Sequence, residues 1–101
     1  MKTLLAVLVV ASQTMYVAKV PSFGCTSIEE VSQLQSLRSD QEAFKKALLE
    51  KQLYGQCVDI LPGTLVQGSV EATDANILRV NMDIDPPGYE APMADFELKS
   101  N

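Results

Sequence analysis

The sequence predicts an α+β domain in which an N-terminal helical hairpin packs on a small, curled antiparallel sheet of three to four strands, after a signal peptide. Three observations support this fold class. An apolar run opens the chain, apolar residues recur at helical spacing between Ser27 and Tyr54, and apolar and polar residues alternate after Cys57. The 101 residues are enough for one domain and too few for two. We therefore expect a signal peptide at residues 1–18 and a single domain at residues 19–101.

The N-terminal segment has the composition of a secretory signal. Lys2 supplies a positive charge, and residues 4–11 form an unbroken apolar run that three polar residues end. Cleavage after Ala18 is favoured, and cleavage after Ala11 is the alternative, because signal peptides are cut after small residues. An uncleaved membrane anchor at residues 4–20 is a further alternative, although a spanning helix usually needs about 20 apolar residues. The prediction is an exported protein, periplasmic or extracellular.

The predicted export determines how the two cysteines are interpreted. Cys25 and Cys57 allow one intramolecular pairing, and we predict a disulfide between them. On the chain-entropy account such a bond stabilises the fold by roughly 3.5 kcal/mol. The spacing is far from the C-x-x-C pattern of oxidoreductases, and two thiolates in a chain without histidine do not complete a zinc site. Lipidation of Cys25, which follows Gly24, is the alternative.

Two helices are predicted between the cysteines. Ser27 and Glu30 have the spacing of a capping box, which starts a helix at residues 28–37. The signal recurs at residues 39–42 and predicts a bend near Arg38 and a second helix at residues 40–54. Its inward side chains are expected to be Phe44, Ala47 and Leu48, with Leu49 and Leu53 as further candidates.

The pattern changes to strands after Cys57. We predict strands at residues 57–61 and 64–70, joined by a type II turn at Pro62 and Gly63. Residues 78–84 alternate strictly and predict the clearest strand, and a short edge strand is expected at Phe96 and Leu98.

Part of this pattern resembles a known group of proteins. The segment from Gly55 to Cys57, the apolar residues 58–61 and the turn at residues 62–66 resemble small exported bacterial two-cysteine proteins, in which a helix precedes SH3-like strands. The resemblance implies an SH3-like curl of the sheet. Because that family has no assigned activity, the resemblance implies no functional residues.

The chemistry of the sequence argues against an enzyme. Histidine, the commonest general base, is missing, and no hydroxyl or thiol stands in a nucleophile motif. Catalysis would depend on carboxylates, and five lie in the C-terminal third: Asp83, Asp85, Glu90, Asp95 and Glu97. A solvated acidic face is the usual reading of such residues, and a weak calcium site or an acid–base pair is the alternative. We predict no cofactor and no metal.

Net charge limits the partners. Removal of Lys2 with the signal leaves seven basic against thirteen acidic residues, a formal charge of −6. Such a domain repels nucleic acids and anionic membranes. We therefore expect no nucleic-acid partner and a mature domain that is not embedded in a membrane.

The candidate interaction loop lies at residues 85–93. Pro86, Pro87 and Pro92 stiffen it around Tyr89, and a tyrosine on a rigid loop is typical of protein contacts. A structural connection with Tyr89 packed on the end of the sheet is the alternative. The predicted function is a small exported, non-enzymatic binding module with an envelope or secreted protein as partner. The alternative is a small exported enzyme or enzyme inhibitor that acts through the carboxylates or this loop.

Overall fold

The computed structural model describes residues 14–81 and 88–99. These residues form seven strands, two α-helices and a short 3-10 helix at Met93–Asp95. In chain order the main elements are β1 (Met15–Ala18), β2 (Ser22–Cys25), α1 (Ile28–Ser36), α2 (Gln41–Leu53), β3 (Cys57–Ile60), β4 (Leu65–Val70), β5 (Ile77–Asn81), β6 (Gly88–Pro92) and β7 (Phe96–Leu98).

The predicted fold class is wrong. The seven strands of the described residues join one antiparallel sheet in the order β3-β2-β6-β5-β4-β1-β7, so the protein is mostly sheet rather than a helical hairpin on three to four strands. The strands that escaped prediction are β1, β2 and β6. Each has four or five residues, and each lies where another signal dominated: the apolar N-terminal run, the lead-in after Pro21 and the proline-rich segment.

Short connections force this sheet to curl. β1 and β2 stand four strand spacings apart in the order, which is roughly 19 Å in a flat sheet. Residues 19–21 alone connect them, and such a link spans at most about 14 Å. β3 and β4 are also four spacings apart, yet a tight turn joins them, in which the Thr64 amide donates to the Leu61 carbonyl at 3.1 Å. Both ends of the sheet must therefore approach each other.

The predicted turn between β3 and β4 is confirmed. Gly63 has a φ of +87°, the left-handed conformation that the third residue of a type II turn requires. The Gly63 amide also donates to the Ala18 carbonyl at 2.7 Å, so the turn is fastened to the end of β1.

Two apolar clusters lie on opposite faces of the sheet. The cluster on the face away from the helices comes from six strands and comprises Tyr16, Ala18, Ile60, Val66, Leu78, Val80, Tyr89, Ala91 and Phe96. The second cluster lies between the sheet and the helices and comprises Phe23, Cys25, Val31, Leu34, Cys57 and Ile77. The predicted alternation of β5 is confirmed as far as Asn81, because Leu78 and Val80 are buried while Arg79 is exposed. Residues 82–84 lie outside the described residues.

The first predicted helix start is confirmed, and the second helix begins one residue later than predicted, capped by Asp40 rather than by the first residue of the pattern at 39–42. The Ser27 hydroxyl accepts a hydrogen bond from the Glu30 amide, and the Asp40 carboxylate accepts one from the Ala43 amide, each at 3.2 Å. α2 lies as an outer layer, since none of its side chains is fully buried. Leu49 and Leu53, which were candidates for its inward face, point to solvent.

The predicted disulfide is confirmed. Cys25 and Cys57 are directly opposite each other on β2 and β3, and the bond closes a separation of 32 residues. Both cysteines are buried beneath the helices. The sulfur of Cys25 is therefore already bonded to Cys57, and lipidation of this residue does not fit the structure.

Candidate interaction surface and buried carboxylates

The candidate interaction loop does not present its tyrosine to solvent. Tyr89 and Pro92 belong to β6 and are buried, and the ring of Tyr89 is part of the cluster on the face away from the helices. Pro86 and Pro87 lie outside the described residues. Tyr89 is accordingly a packing residue of the sheet.

The three C-terminal carboxylates that the structure describes, Glu90, Asp95 and Glu97, do not form one site. Asp83 and Asp85 lie outside the described residues, and Glu97 is exposed on β7. Glu90 and Asp95 are both buried, but each pairs with a different arginine. The two buried carboxylates therefore belong to separate clusters, which we describe in turn.

Asp95 holds the bend between the helices against the sheet. Its Oδ2 atom accepts from the Ser22 hydroxyl at 2.6 Å and pairs with an Arg38 guanidinium nitrogen at 2.8 Å. Arg38 also donates to the Pro21 carbonyl at 3.1 Å, and its guanidinium lies 5.2 Å from the centre of the Phe23 ring and 5.5 Å from that of Phe44. This group joins β2, the helical bend and the segment that enters β7, where the two ends of the sheet approach. An open groove of about 510 Å³ lies above it.

Glu90 lies on the helix-facing side of β6, directly opposite Arg79 on β5. Its Oε2 atom accepts from an Arg79 guanidinium nitrogen at 2.8 Å, whereas its buried Oε1 atom has no donor among the described protein atoms. Burial, reinforced by Glu71, raises the pKa of Glu90 from its usual 4.5 to about 7, although Arg79 acts in the opposite direction.

A glycine makes room for this ion pair. Gly88 is opposite Asn81, and a Cβ atom at position 88 would lie 2.8 Å from the guanidinium of Arg79. Arg79 therefore lies over the bare backbone of β6, on the side where Glu90 projects. Larger side chains at position 88 would displace it.

The exposed apolar surface of the helical layer lies at the end of α2. Leu49, Leu53 and Tyr54 are 56%, 76% and 81% exposed, and Leu49 and Leu53 are neighbours on the helix surface, one turn apart. We call these three residues the α2 patch. Beside Tyr54, a groove of about 460 Å³ opens between the helices, with Leu34, Leu37 and Ala47 at its base and a polar rim of Gln33, Glu50, Lys51 and Gln56.

Sequence reasoning missed the α2 patch. The same leucine spacing fits an inward face and an outward face, and only the packing distinguishes them. The one local signal was the weak amphipathicity of α2, which has Lys45, Lys46 and Glu50 interleaved with its leucines. A helix with charges on several sides is typical of an outer layer rather than a core element.

Among residues 14–81 and 88–99, no group of three or more cysteine, histidine, aspartate or glutamate side chains could hold a metal ion. Within those ranges, neither helix has the length and apolar character needed to cross a membrane.

Comparison with known proteins gives no relative. No protein-family model matches the chain, and no curated protein and no solved structure is significantly similar to it. The resemblance to exported two-cysteine proteins therefore stays a prediction.

Proposed function

We propose that this protein is a small exported binding module without enzymatic activity, and that it binds its partner through the α2 patch. The observation that carries the proposal is the exposure of two leucines one helical turn apart and of a tyrosine at the end of the same helix. Tyrosine is enriched at the centres of protein interfaces, and contiguous exposed apolar side chains mark interaction sites.

Export is supported by two features of different kinds. The buried Cys25–Cys57 bond is of a type that persists in oxidising compartments such as the periplasm or the extracellular space. The apolar run at residues 4–11 with Lys2 before it has the composition of an export signal.

The surroundings of the α2 patch suit a protein segment as ligand. The patch lies on a regular helix fixed by the cap at Asp40, so little backbone entropy is lost on binding. The adjoining groove offers an apolar base for one side chain, and its polar rim can hydrogen-bond the backbone on either side. We infer a partner segment with one bulky apolar side chain that enters the groove next to Tyr54.

The charge around the α2 patch indicates which kind of partner segment it would bind. Lys45 and Lys46 are exposed and lie one helical turn before Leu49, although the chain as a whole carries a formal charge of −5. None of the three ion pairs of the described residues involves either lysine. A partner segment with acidic residues beside its apolar anchor would be complementary to this surface. The partner is accordingly an envelope or secreted protein that carries such a segment.

A displayed library of random peptides tests this proposal directly. The purified domain, with its disulfide intact, is expected to select peptides that combine an apolar anchor with acidic neighbours. Leu53→Ser and Tyr54→Ala should each lower the affinity of the domain for the selected peptides by about tenfold or more. This is the usual effect of truncating a central interface residue. Replacing Lys45 and Lys46 by glutamine should slow association and reduce its dependence on salt.

Leu61→Ser is the matched control, because Leu61 is 68% exposed but lies in the turn after β3. This variant should bind the selected peptides like the unaltered domain. Failure to select any peptide, or equal loss of binding with Leu61→Ser and Tyr54→Ala, would remove the support for the α2 patch.

One observation favours the enzyme alternative. The raised pKa of Glu90 would suit a general base near neutral pH. The residue is, however, 5% exposed and faces Arg79 and Glu71, so a substrate would have to displace this arrangement to reach it.

A further inference from the structure

One ridge of α2 connects the α2 patch with the groove above Arg38. Exposed side chains follow each other along this ridge at intervals of one helical turn: Gln41, Lys45, Leu49 and Leu53. Gln41 and Lys45 line the groove above Arg38, whereas Leu49 and Leu53 belong to the α2 patch. The groove and the patch therefore form one continuous surface along the helix.

The groove above Arg38 combines apolar walls with positive charge. Val20 and Phe44 are among its walls, and Val20 is 40% exposed. Its charged lining residues are Arg38, Lys45 and Asp95. Asp95 is already paired with Arg38, and none of the three ion pairs of the described residues involves Lys45. The charge of Lys45 is thus available to a ligand, although the chain as a whole carries a formal charge of −5.

Arg38 is held in place and keeps donors for a ligand. Its guanidinium contacts the Gln35 side chain at 2.8 Å, the Pro21 carbonyl at 3.1 Å and Asp95 at 2.8 Å. A guanidinium carries five N–H groups, and these contacts use at most three of them. At least two N–H groups therefore have no acceptor among the described atoms, and the side chain is 29% exposed. Donors of this kind match the oxygens of a carboxylate.

We propose that the partner segment binds α2 at two points, with its apolar anchor beside Tyr54 and a carboxylate in the groove above Arg38. This inference rests on the proposed function, because the first point is the α2 patch. Arg38 and Lys45 supply the positive charge that a carboxylate requires. Val20 and Phe44 offer an apolar surface to the residue next to it. The occupant is an extended acidic segment of a protein.

The length of α2 sets the spacing between the two points. The helix has 13 residues, with Gln41 first and Leu53 last, so the ridge is about 18 Å long. An extended chain advances roughly 3.3 Å per residue, so about five or six residues separate the apolar anchor from the carboxylate. The carboxylate belongs either to an acidic side chain or to the C-terminus of the partner.

Synthetic peptides based on the selected sequences test the spacing. In one form a glutamate lies five or six positions from the apolar anchor, and in the others it is replaced by glutamine or moved to two positions from the anchor. Both changes should lower the affinity of the domain by about tenfold. A peptide that ends at the same distance, with a free or an amidated C-terminus, shows whether a chain end provides the carboxylate instead.

Val20→Asp tests the groove from the side of the domain. The added negative charge should lower the affinity for the glutamate peptide by about tenfold and leave that for the glutamine peptide unchanged. Binding of the glutamine peptide also shows that the variant is folded. Val70→Asp is the matched control, because Val70 is 43% exposed at the end of β4 and does not line the groove. It should bind both peptides like the unaltered domain.

The results distinguish failure of the second point from failure of the proposed function. Suppose that Tyr54→Ala weakens binding, but neither the loss of the carboxylate nor Val20→Asp does. The groove above Arg38 would then have no part in binding, and the α2 patch would stand alone. If Tyr54→Ala had no effect on any of the peptides, both the patch and the two-point arrangement would be wrong.

Discussion

At the scale of single residues, two buried carboxylates are accommodated in different ways. Asp95 receives both a hydroxyl donor and a guanidinium, from Ser22 and Arg38. Glu90 receives one guanidinium, from Arg79, and its pKa rises because burial penalises the charged form and the negative charge of Glu71 adds to this effect. The first arrangement serves to hold charge in place. The second leaves the buried Oε1 atom of Glu90 without a donor among the described protein atoms.

The Asp95 cluster gives a direct prediction for stability. We expect Arg38→Met to lower the free energy of unfolding by about 2–3 kcal/mol, because it leaves a buried carboxylate without its cation. The expected loss is below the 3–5 kcal/mol typical of fully buried pairs, since the Arg38 side chain is 29% exposed. Urea unfolding at pH 7, followed by circular dichroism, measures it.

Two further variants check the cause of this loss. Adding Asp95→Asn to Arg38→Met should recover part of the stability, because no unpaired charge then remains buried. Lys46→Met removes a cation from the exposed side of α2, and it should change the free energy of unfolding in urea only slightly. If Arg38→Met and Lys46→Met had equal effects, the cluster would not hold the sheet ends together.

At the scale of elements, the disulfide has a local role. It joins β2 to β3, and β3 is an edge strand that has a neighbour on one side only among the described strands. Replacing both cysteines by alanine should cost roughly 3 kcal/mol of stability, a little below the entropic value for a loop of this length. In this variant the rate of amide hydrogen exchange should rise most at residues 57–60. Uniform acceleration across the sheet would instead show that the bond acts on the whole unfolded chain without protecting the edge.

The elements also show what the sequence could predict. Local signals were sufficient where they lie within a few residues: the cap at Ser27, the turn at Gly63 and the alternation of Leu78 and Val80. They were insufficient for β1, β2 and β6. These segments form strands because they pair with segments that are distant in the sequence. Cys25 on β2, for example, pairs with Glu90 on β6. Such contacts leave no periodicity in four residues.

The candidate site was predictable to a smaller degree. The cysteine pairing followed from there being two cysteines in a short chain whose first residues predict an export signal. The prolines around Tyr89 suggested a loop, whereas Tyr89 and Ala91 lie on β6 and face the sheet's own core, so of the two interpretations the packed tyrosine is nearer to the structure. Exposure of Tyr54 and the proximity of Glu71 to Glu90 depend on tertiary packing, which no local pattern records.

At the scale of the whole molecule, closure of the curl depends on β1. This strand pairs with β4 on one side and β7 on the other, and it contributes Tyr16 and Ala18 to the cluster opposite the helices. Without it, β7 would lose its partner strand and β4 one of its two. The expected cut after Ala18 would remove this strand. A mature chain beginning at Ser12, after the alternative cut at Ala11, retains it.

Truncated chains test this dependence without relying on export. A chain that starts at Ser12 should unfold cooperatively on heating, with dispersed amide NMR signals. A chain that starts at Lys19 should lack that transition, because loss of Tyr16 alone is expected to cost about 3–5 kcal/mol, against a total stability of roughly 5–15 kcal/mol. Tyr16→Ala in the longer chain gives the intermediate case. Mass spectrometry of the exported protein should then find Ser12 at its N-terminus. A stable, cooperative domain beginning at Lys19 would show that the sheet closes without β1, and would restore the cut after Ala18.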